Sequence, residues 1–367
     1  MKDIIKVFLL SLVASIGLFS RTWLFGFDSY AFVSASRGLV SLADRYPAFI
    51  YLVEHIPQSF LIYNLIMWAC LFVSLLALFY TAKKLSDKPF LITAIVLAAA
   101  PILIFDFAQF QNELLAYPFI FWSFTALMYK RPWISLLLGL CSCVFWMGGF
   151  VWIAIIATGF VFSFILALLL GFPFWYDKIG YAVGNIQGVS FNTYFFGLID
   201  YFMLFPVILF IFRGKDKRFM IWILVSVGLA CLSARYVILS IPFLLYGVKE
   251  MLPFIEKYVF SGKFLLGACI FMILCWNIAL YLQEPQPFQM EGVQKFISIC
   301  RDENVVCYND WSIGWWVLAE GGTPSNRAGP PGPDYNSLSR PFVALTQEKL
   351  ECTLISGGSR INIYRCN

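Results

Sequence analysis

Long apolar stretches, separated by short polar clusters, run through most of this chain. Residues 1–20, 58–81, 89–105, 114–129, 193–212, 219–233, 236–248 and 262–281 are nearly free of charge. Segments of about 17–25 such residues cross a hydrocarbon core of about 30 Å as helices. Between 132 and 192 the chain must make an odd number of crossings, and Gly148 and Gly149 interrupt the apolar run. A pair of spans plus one short or broken helix near 175–188 satisfies that parity, for a total of about 9–11 spans. The 1–20 stretch has no clear small-x-small cleavage site after it and reads as the first span rather than a leader. Lipid offers backbone amides no partner but one another, and no ten-residue alternation suggests a barrel, so the spans are helices.

The pattern changes at residue 284, where Pro, Gly, Asn and charge return. Periodicity and turn residues predict a helix over 291–300, a strand over 304–308, an aromatic helix over 311–320 and a Gly- and Pro-rich loop over 323–336. A helix over 342–350 and strands over 352–355 and 361–364 complete the expected set. The expected organisation is an all-α polytopic membrane domain, residues 1–283, followed by a small α/β domain, residues 284–367.

Composition agrees: 60% of residues are hydrophobic, 13% are charged, and mean hydropathy is +0.79. A net charge of +5 would suggest nucleic acid in a soluble protein. Here the basic residues sit at span ends and report topology, with no nucleic-acid partner expected. Lys2 and Lys6, then Lys83, Lys84 and Lys88, then Lys130 and Arg131, then the cluster at 213–218 all mark one side, the cytoplasmic one. That places loops 21–57 and 106–113 and the C-terminal domain on the external face of a multi-pass protein in the plasma membrane or its equivalent. Six of the ten cysteines fall in spans, and Cys300, Cys307, Cys352 and Cys366 fall in the external domain, where two disulfides are permitted. Connectivity is not readable from the sequence, although Cys352 and Cys366 lie on adjacent expected strands. No cysteine and histidine cluster resembles a zinc site.

Polar groups against an apolar background are costly unless paired or wet, so they mark candidate chemistry. Four places stand out. The first is Arg21 with Asp28 and Tyr30 in the first external loop, followed by Arg37, Asp44, Arg45, Glu54 and His55. An aspartate at a membrane exit is either a solvated end or a reactive carboxylate. The second is the 106–113 loop, whose Asp106 and Glu113 either decorate a polar loop or converge to hold a divalent cation or act as bases. The third is Arg235, isolated among apolar residues, which either snorkels to the interface or binds an anion such as a lipid phosphate. The fourth is the run Trp311, Trp315 and Trp316 leading to Asn326, either domain core or the floor of an acceptor site.

In order along the chain these four places resemble the catalytic subunit of oligosaccharyltransferase and, more widely, the GT-C glycosyltransferases. That family opens with an arginine and then Gly-x-Asp-Pro-Tyr in its first external loop, and Gly26-Phe-Asp28-Ser-Tyr30 follows that spacing. An acidic pair in its second external loop is matched by Gln111-Asn112-Glu113, and an Arg-Phe before a proline-containing span by Arg235-Tyr236 through Pro242. Its Trp-Trp-Asp-Tyr-Gly-Tyr-Trp motif is similar to Asp310-Trp311-Ser312-Ile313-Gly314-Trp315-Trp316. The departures are Gln111 for the first acid of the second loop, Ser312 for the aspartate that reads an Asn-x-Ser/Thr acceptor, and Gln187 for a later glutamate.

The resemblance implies a membrane glycosyltransferase that moves a sugar or oligosaccharide from a polyprenyl (dolichyl) phosphate carrier to a protein or glycan acceptor. It implies catalysis by Asp28 and Glu113, the same two residues holding a divalent metal such as Mg or Mn, and donor phosphate binding by Arg235 and Arg21. It implies acceptor binding by Trp311, Trp315, Trp316 and Asn326. Alternatives are a transferase of the same architecture acting on another glycan or lipid, a catalytically silent assembly subunit, for which Gln111 and Gln187 speak, and a transporter or lipid flippase. A transporter calls for paired charges deep in several spans, whereas the charges here cluster at span ends.

Overall fold

The computed structural model describes residues 2–20, 24, 27–37, 47–57, 59–146, 148–157, 238–258, 261–282, 287–303, 305–325, 334–335, 337–357 and 361–367. The expected spans at 193–212 and 219–233, and the region near 175–188, lie outside them. In chain order the helices are α1 (Lys2–Ala14), α2 (Ile16–Phe19), α3 (Phe27–Ser36), α4 (Pro47–Glu54), α5 (Phe60–Leu85), α6 (Pro89–Ala99) and α7 (Pro101–Phe107). They continue as α8 (Glu113–Met128), α9 (Pro132–Phe145), α10 (Gly148–Ala157), α11 (Ile241–Tyr258), α12 (Gly262–Tyr281), α13 (Pro287–Asp302) and α14 (Trp311–Ala319). Four strands, β1 (Val306–Asn309), β2 (Phe342–Thr346), β3 (Thr353–Gly357) and β4 (Asn362–Cys366), lie near the C-terminal end.

The fold is that of a helical membrane protein carrying a small C-terminal α/β region. The chain divides into two compact units. The first is Met1–Ser20, Asn64–Ala108 and Asn112–Tyr281, and its regular elements among the described residues are helices. Among the described residues, the stretches Phe60–Leu85, Ile238–Lys257 and Gly262–Tyr281 are long and apolar enough to cross a membrane. The expected 89–105 span is not straight: α6 and α7 meet at a 73° bend at Ala100. Pro101 is the cause, because the residue before a proline is driven out of helical backbone angles while proline itself suits a helix start. The expected first span is likewise broken, at Ser15. There Asn277 of α12 spans the break, accepting the Gly17 amide at 2.7 Å and donating to the Val13 carbonyl at 3.1 Å. The Gly148–Gly149 interruption is a helix break between α9 and α10, and a Cβ on Gly149 would stand 2.6 Å from the Cys143 amide nitrogen.

The second unit comprises Arg21–Tyr63, Gln109–Gln111 and Leu282–Asn367. Its sheet has the order β1-β2-β4-β3, with β1 parallel to β2 and the other pairs antiparallel. The parallel β1–β2 pair needs a crossover, which α14 supplies. The helix expected over 342–350 is instead β2, a central strand buried at all five positions. An unbroken apolar run without period-2 alternation is read equally well as a buried helix segment or a two-sided buried strand, and pairing on both edges decides for the strand. Both permitted disulfides form, Cys300–Cys307 and Cys352–Cys366, the second across β3–β4 as their adjacency suggested.

Candidate functional site

The second unit gathers segments from three of the four polar places in the sequence: the first loop, the tip of the second and the tryptophan helix. Asp28 lies in the first turn of α3. Two residues on, Tyr30, fully buried, meets Trp316 of α14 edge-on, ring centroids 6.4 Å apart. Arg37, just past the end of α3, donates to the Ala319 carbonyl at 2.7 Å. A cation at the carbonyl end of a helix both satisfies an orphan acceptor and suits the dipole. The helix bearing Asp28 is therefore docked on the tryptophan helix at both ends.

Ser29 ties in the second loop, its hydroxyl accepting the Phe110 amide at 2.8 Å. Phe110 also meets Tyr63 at 4.5 Å and Phe49 at 5.5 Å, both with tilted rings, and Phe49 meets Phe32 at 4.8 Å. Buried aromatic pairs of this kind contribute about 0.5–1.5 kcal/mol each beyond their area. They fix α3, α4 and the loop tip as one body.

The tryptophan helix is set by the residue before it. Asp310 follows β1 in extended geometry, and its backbone carbonyl accepts the Ile313 and Gly314 amides. A side chain at such a position ordinarily caps the helix. Here the carboxylate turns to the exit of β2, accepting Tyr335 Oη at 2.7 Å, Thr346 Oγ1 at 2.9 Å and the Gln347 amide at 2.7 Å. Burial, with the Asp310 carboxylate beside it, pushes the Tyr335 phenol well above the usual tyrosine range. Asn309, also buried, clamps the Gly- and Pro-rich loop: it exchanges hydrogen bonds with the Ser325 amide and hydroxyl and donates to the Asp310 carbonyl. Sequence reasoning assigned Asp310, Asn309 and Tyr335 no role. A polar pair at a strand-to-helix turn is the one signal that pointed to them.

Trp316 is completely buried and Trp315 half-buried, while Trp311 opens the helix. Glu113 belongs to the first unit and begins α8. The 106–113 segment is not the solvated loop its polarity suggested. Asp106 ends within α7, where its carboxylate accepts Tyr117 Oη at 3.1 Å. Gln111, Asn112 and Glu113 are all buried, and Asn112 donates to the Phe145 carbonyl at 2.8 Å. Glu113 and Tyr117 stand one turn apart on α8. Arg21, Arg235, Asn326 and Gln187 lie outside the described residues. Among the described residues no group of three or more His, Cys, Asp and Glu side chains is placed to hold a metal ion.

No family model and no curated protein matches the chain. Among solved structures it is similar to the crystal structure of the Archaeoglobus fulgidus oligosaccharyltransferase in complex with Zn and sulfate. The TM-score is 0.54 at 11% identity, over 88% of this chain and 62% of that one. The chain thus spans less than two thirds of that protein's length, and the likeness is one of fold.

Proposed function

We propose that this chain is a GT-C-type membrane glycosyltransferase, moving a sugar or oligosaccharide from a polyprenyl phosphate carrier to an acceptor on the external face. One observation carries the reading: the helix bearing Asp28 is docked on the tryptophan helix through Tyr30 and Trp316 and holds the tip of the second loop through Ser29. These are separate stretches of sequence that the resemblance selected, and a chain retaining only a distant fold has no need to keep them together.

In this reading Asp28 orients the acceptor nucleophile and takes its proton as the bond from the sugar's anomeric carbon to the carrier phosphate breaks. Arg235 and Arg21 bind the phosphate through charge-assisted hydrogen bonds, which strengthen as negative charge grows on the leaving group. Glu113, which begins α8, is the second carboxylate that the resemblance assigns to catalysis. The half-buried Trp315 offers the acceptor an apolar face, with Trp311 and Asn326 beside it in sequence, while Trp316 holds the helix. The divalent cation implied by the resemblance finds no three-ligand group among the described residues, so no step is routed through one. With Ser312 at the position that reads an Asn-x-Ser/Thr acceptor, the acceptor is a glycan, a lipid or a differently read protein.

The test is transfer from an extracted native pool of polyprenyl phosphate-linked sugars by purified protein, wild type against Asp28→Ala at matched folding. Loss of transfer in the variant supports the reading. A well-folded wild type that transfers from no donor pool supports the silent-subunit alternative that Gln111 suggests.

A further inference from the structure

Between the first half of α13 and the β3–β4 hairpin of the second unit lies a half-open groove of about 510 Å3. Its helix wall is Phe288, Glu291, Gly292 and Lys295, and Ser356 and Ile363 face them from the hairpin. The volume falls within the range of about 300–1,000 Å3 usual for small-molecule sites.

Three features distinguish it from a chance depression. Glu291 and Lys295 stand at the i and i+4 positions of one helix face, the spacing and order that favours an ion pair, yet among the described residues neither forms one. The Ser356 hydroxyl likewise has no hydrogen-bond partner among the described residues. Second, Phe288 leaves 44% of its surface exposed at the groove, an aromatic face presented rather than packed. Third, Gly292 sits inside a helix where a Cβ would meet nothing within 4 Å. Glycine there weakens the helix by about 1 kcal/mol relative to alanine. No neighbour in the fold requires the missing side chain, whereas a ligand lying against the helix backbone would.

The lining selects its ligand class. One carboxylate disfavours an anion, one ammonium disfavours a cation, and both disfavour a purely apolar molecule. A neutral molecule with several hydroxyls satisfies acceptor, donor and hydroxyl together and lays its C–H face on the aromatic ring. We infer that this groove is a binding site for a short neutral glycan, held by Phe288 beneath and by Glu291, Lys295 and Ser356 at its hydroxyls, with Gly292 admitting it to the helix backbone. Such a site gives the chain a glycan contact outside the residues proposed for transfer.

The experiment is saturation-transfer NMR on the full chain in lipid nanodiscs free of sugar-headed detergent. The probes are neutral di- to tetrasaccharides of hexose and N-acetylhexosamine, with a neutral extended hexapeptide alongside. Wild type and Gly292→Leu are compared, with Phe288→Ala as a second variant. A Cβ at Gly292 meets nothing within 4 Å, and leucine suits a helix better than glycine, so thermal stability is expected to hold or rise. The inference predicts glycan binding by wild type that weakens at least tenfold in both variants. It is overturned if no glycan binds, if binding is unchanged in Gly292→Leu, or if the hexapeptide alone binds. No donor lipid is present, so failure here is distinct from failure of the transferase proposal.

Discussion

Tyr30 and Trp316 meet edge-on with ring planes at 66°, and through this contact a helix from the first polar loop rests on a helix more than 280 residues further along the chain. Both rings are completely or almost completely buried. Replacing Trp316 by alanine removes the centre of that contact. The expected cost is about 3–5 kcal/mol, as for other buried tryptophans. A double-mutant cycle of Tyr30→Ala and Trp316→Ala, read by thermal unfolding, should give coupling of about 0.5–1.5 kcal/mol. Additive single effects would mean that the two helices are stabilised independently.

Asp310 and Tyr335 give a pH dependence. Burial, followed by the hydrogen bond to Asp310, raises the folded-state phenol above its ordinary value. The unfolded phenol titrates near about 10. Stability from this group is therefore fully present below about pH 10 and is lost as pH climbs beyond it. Tyr335→Phe should lower stability at neutral pH by about 1 kcal/mol, because the carboxylate loses one donor. It should also flatten the alkaline limb of the unfolding midpoint plotted against pH between 9 and 11. An unchanged limb would show that other groups govern alkaline unfolding.

Gly17 and Asn277 make a clasp inside the first unit. A Cβ on Gly17 would stand 2.8 Å from the Asn277 backbone oxygen, too close for any side chain without movement. Gly17→Ala is expected to destabilise by about 1–3 kcal/mol. On α12, Gly267 has nothing within 4 Å of its Cβ position, so Gly267→Ala is expected to be neutral or mildly stabilising. Thermal unfolding of both in the same detergent separates packing from helix propensity, and equal effects would contradict the clasp.

The Cys352–Cys366 bridge joins β3 to β4, with Cys366 buried. Replacing both cysteines by alanine should lower the stability of the second unit by about 3 kcal/mol for a loop of this length. Limited proteolysis with and without the substitutions reads this directly.

The sequence made the helical class legible because uncharged runs of span length have few other fates. Most of the C-terminal elements were also legible, because their turns and periodicities are local. The β2 strand was not, since Phe342–Thr346 carries no alternation and its identity depends on partners at 306–309 and 362–366. The bend at Ala100 was not read, since 89–105 reads as one span; Pro101 locates it, and its size depends on packing. At the site, the sequence picked out Asp28 and the tryptophan run by their contrast with the surrounding apolar chain, and the resemblance supplied the roles. It read 106–113 as a surface loop, because Asp, Gln, Asn and Glu in succession look solvated. Gln111, Asn112 and Glu113 are instead buried, and the segment is tied down through Phe145, Ser29 and Tyr117, partners that no local pattern shows.

The central proposal is most directly tested by release of free polyprenyl phosphate from a labelled polyprenyl phosphate-linked sugar, using reconstituted protein with a mixture of acceptor glycans and peptides. Wild type should release the carrier in step with sugar appearing on an acceptor, and Asp28→Asn should lower the rate at least a hundredfold while the melting temperature holds. Release that is equally fast in wild type and Asp28→Asn would contradict the account.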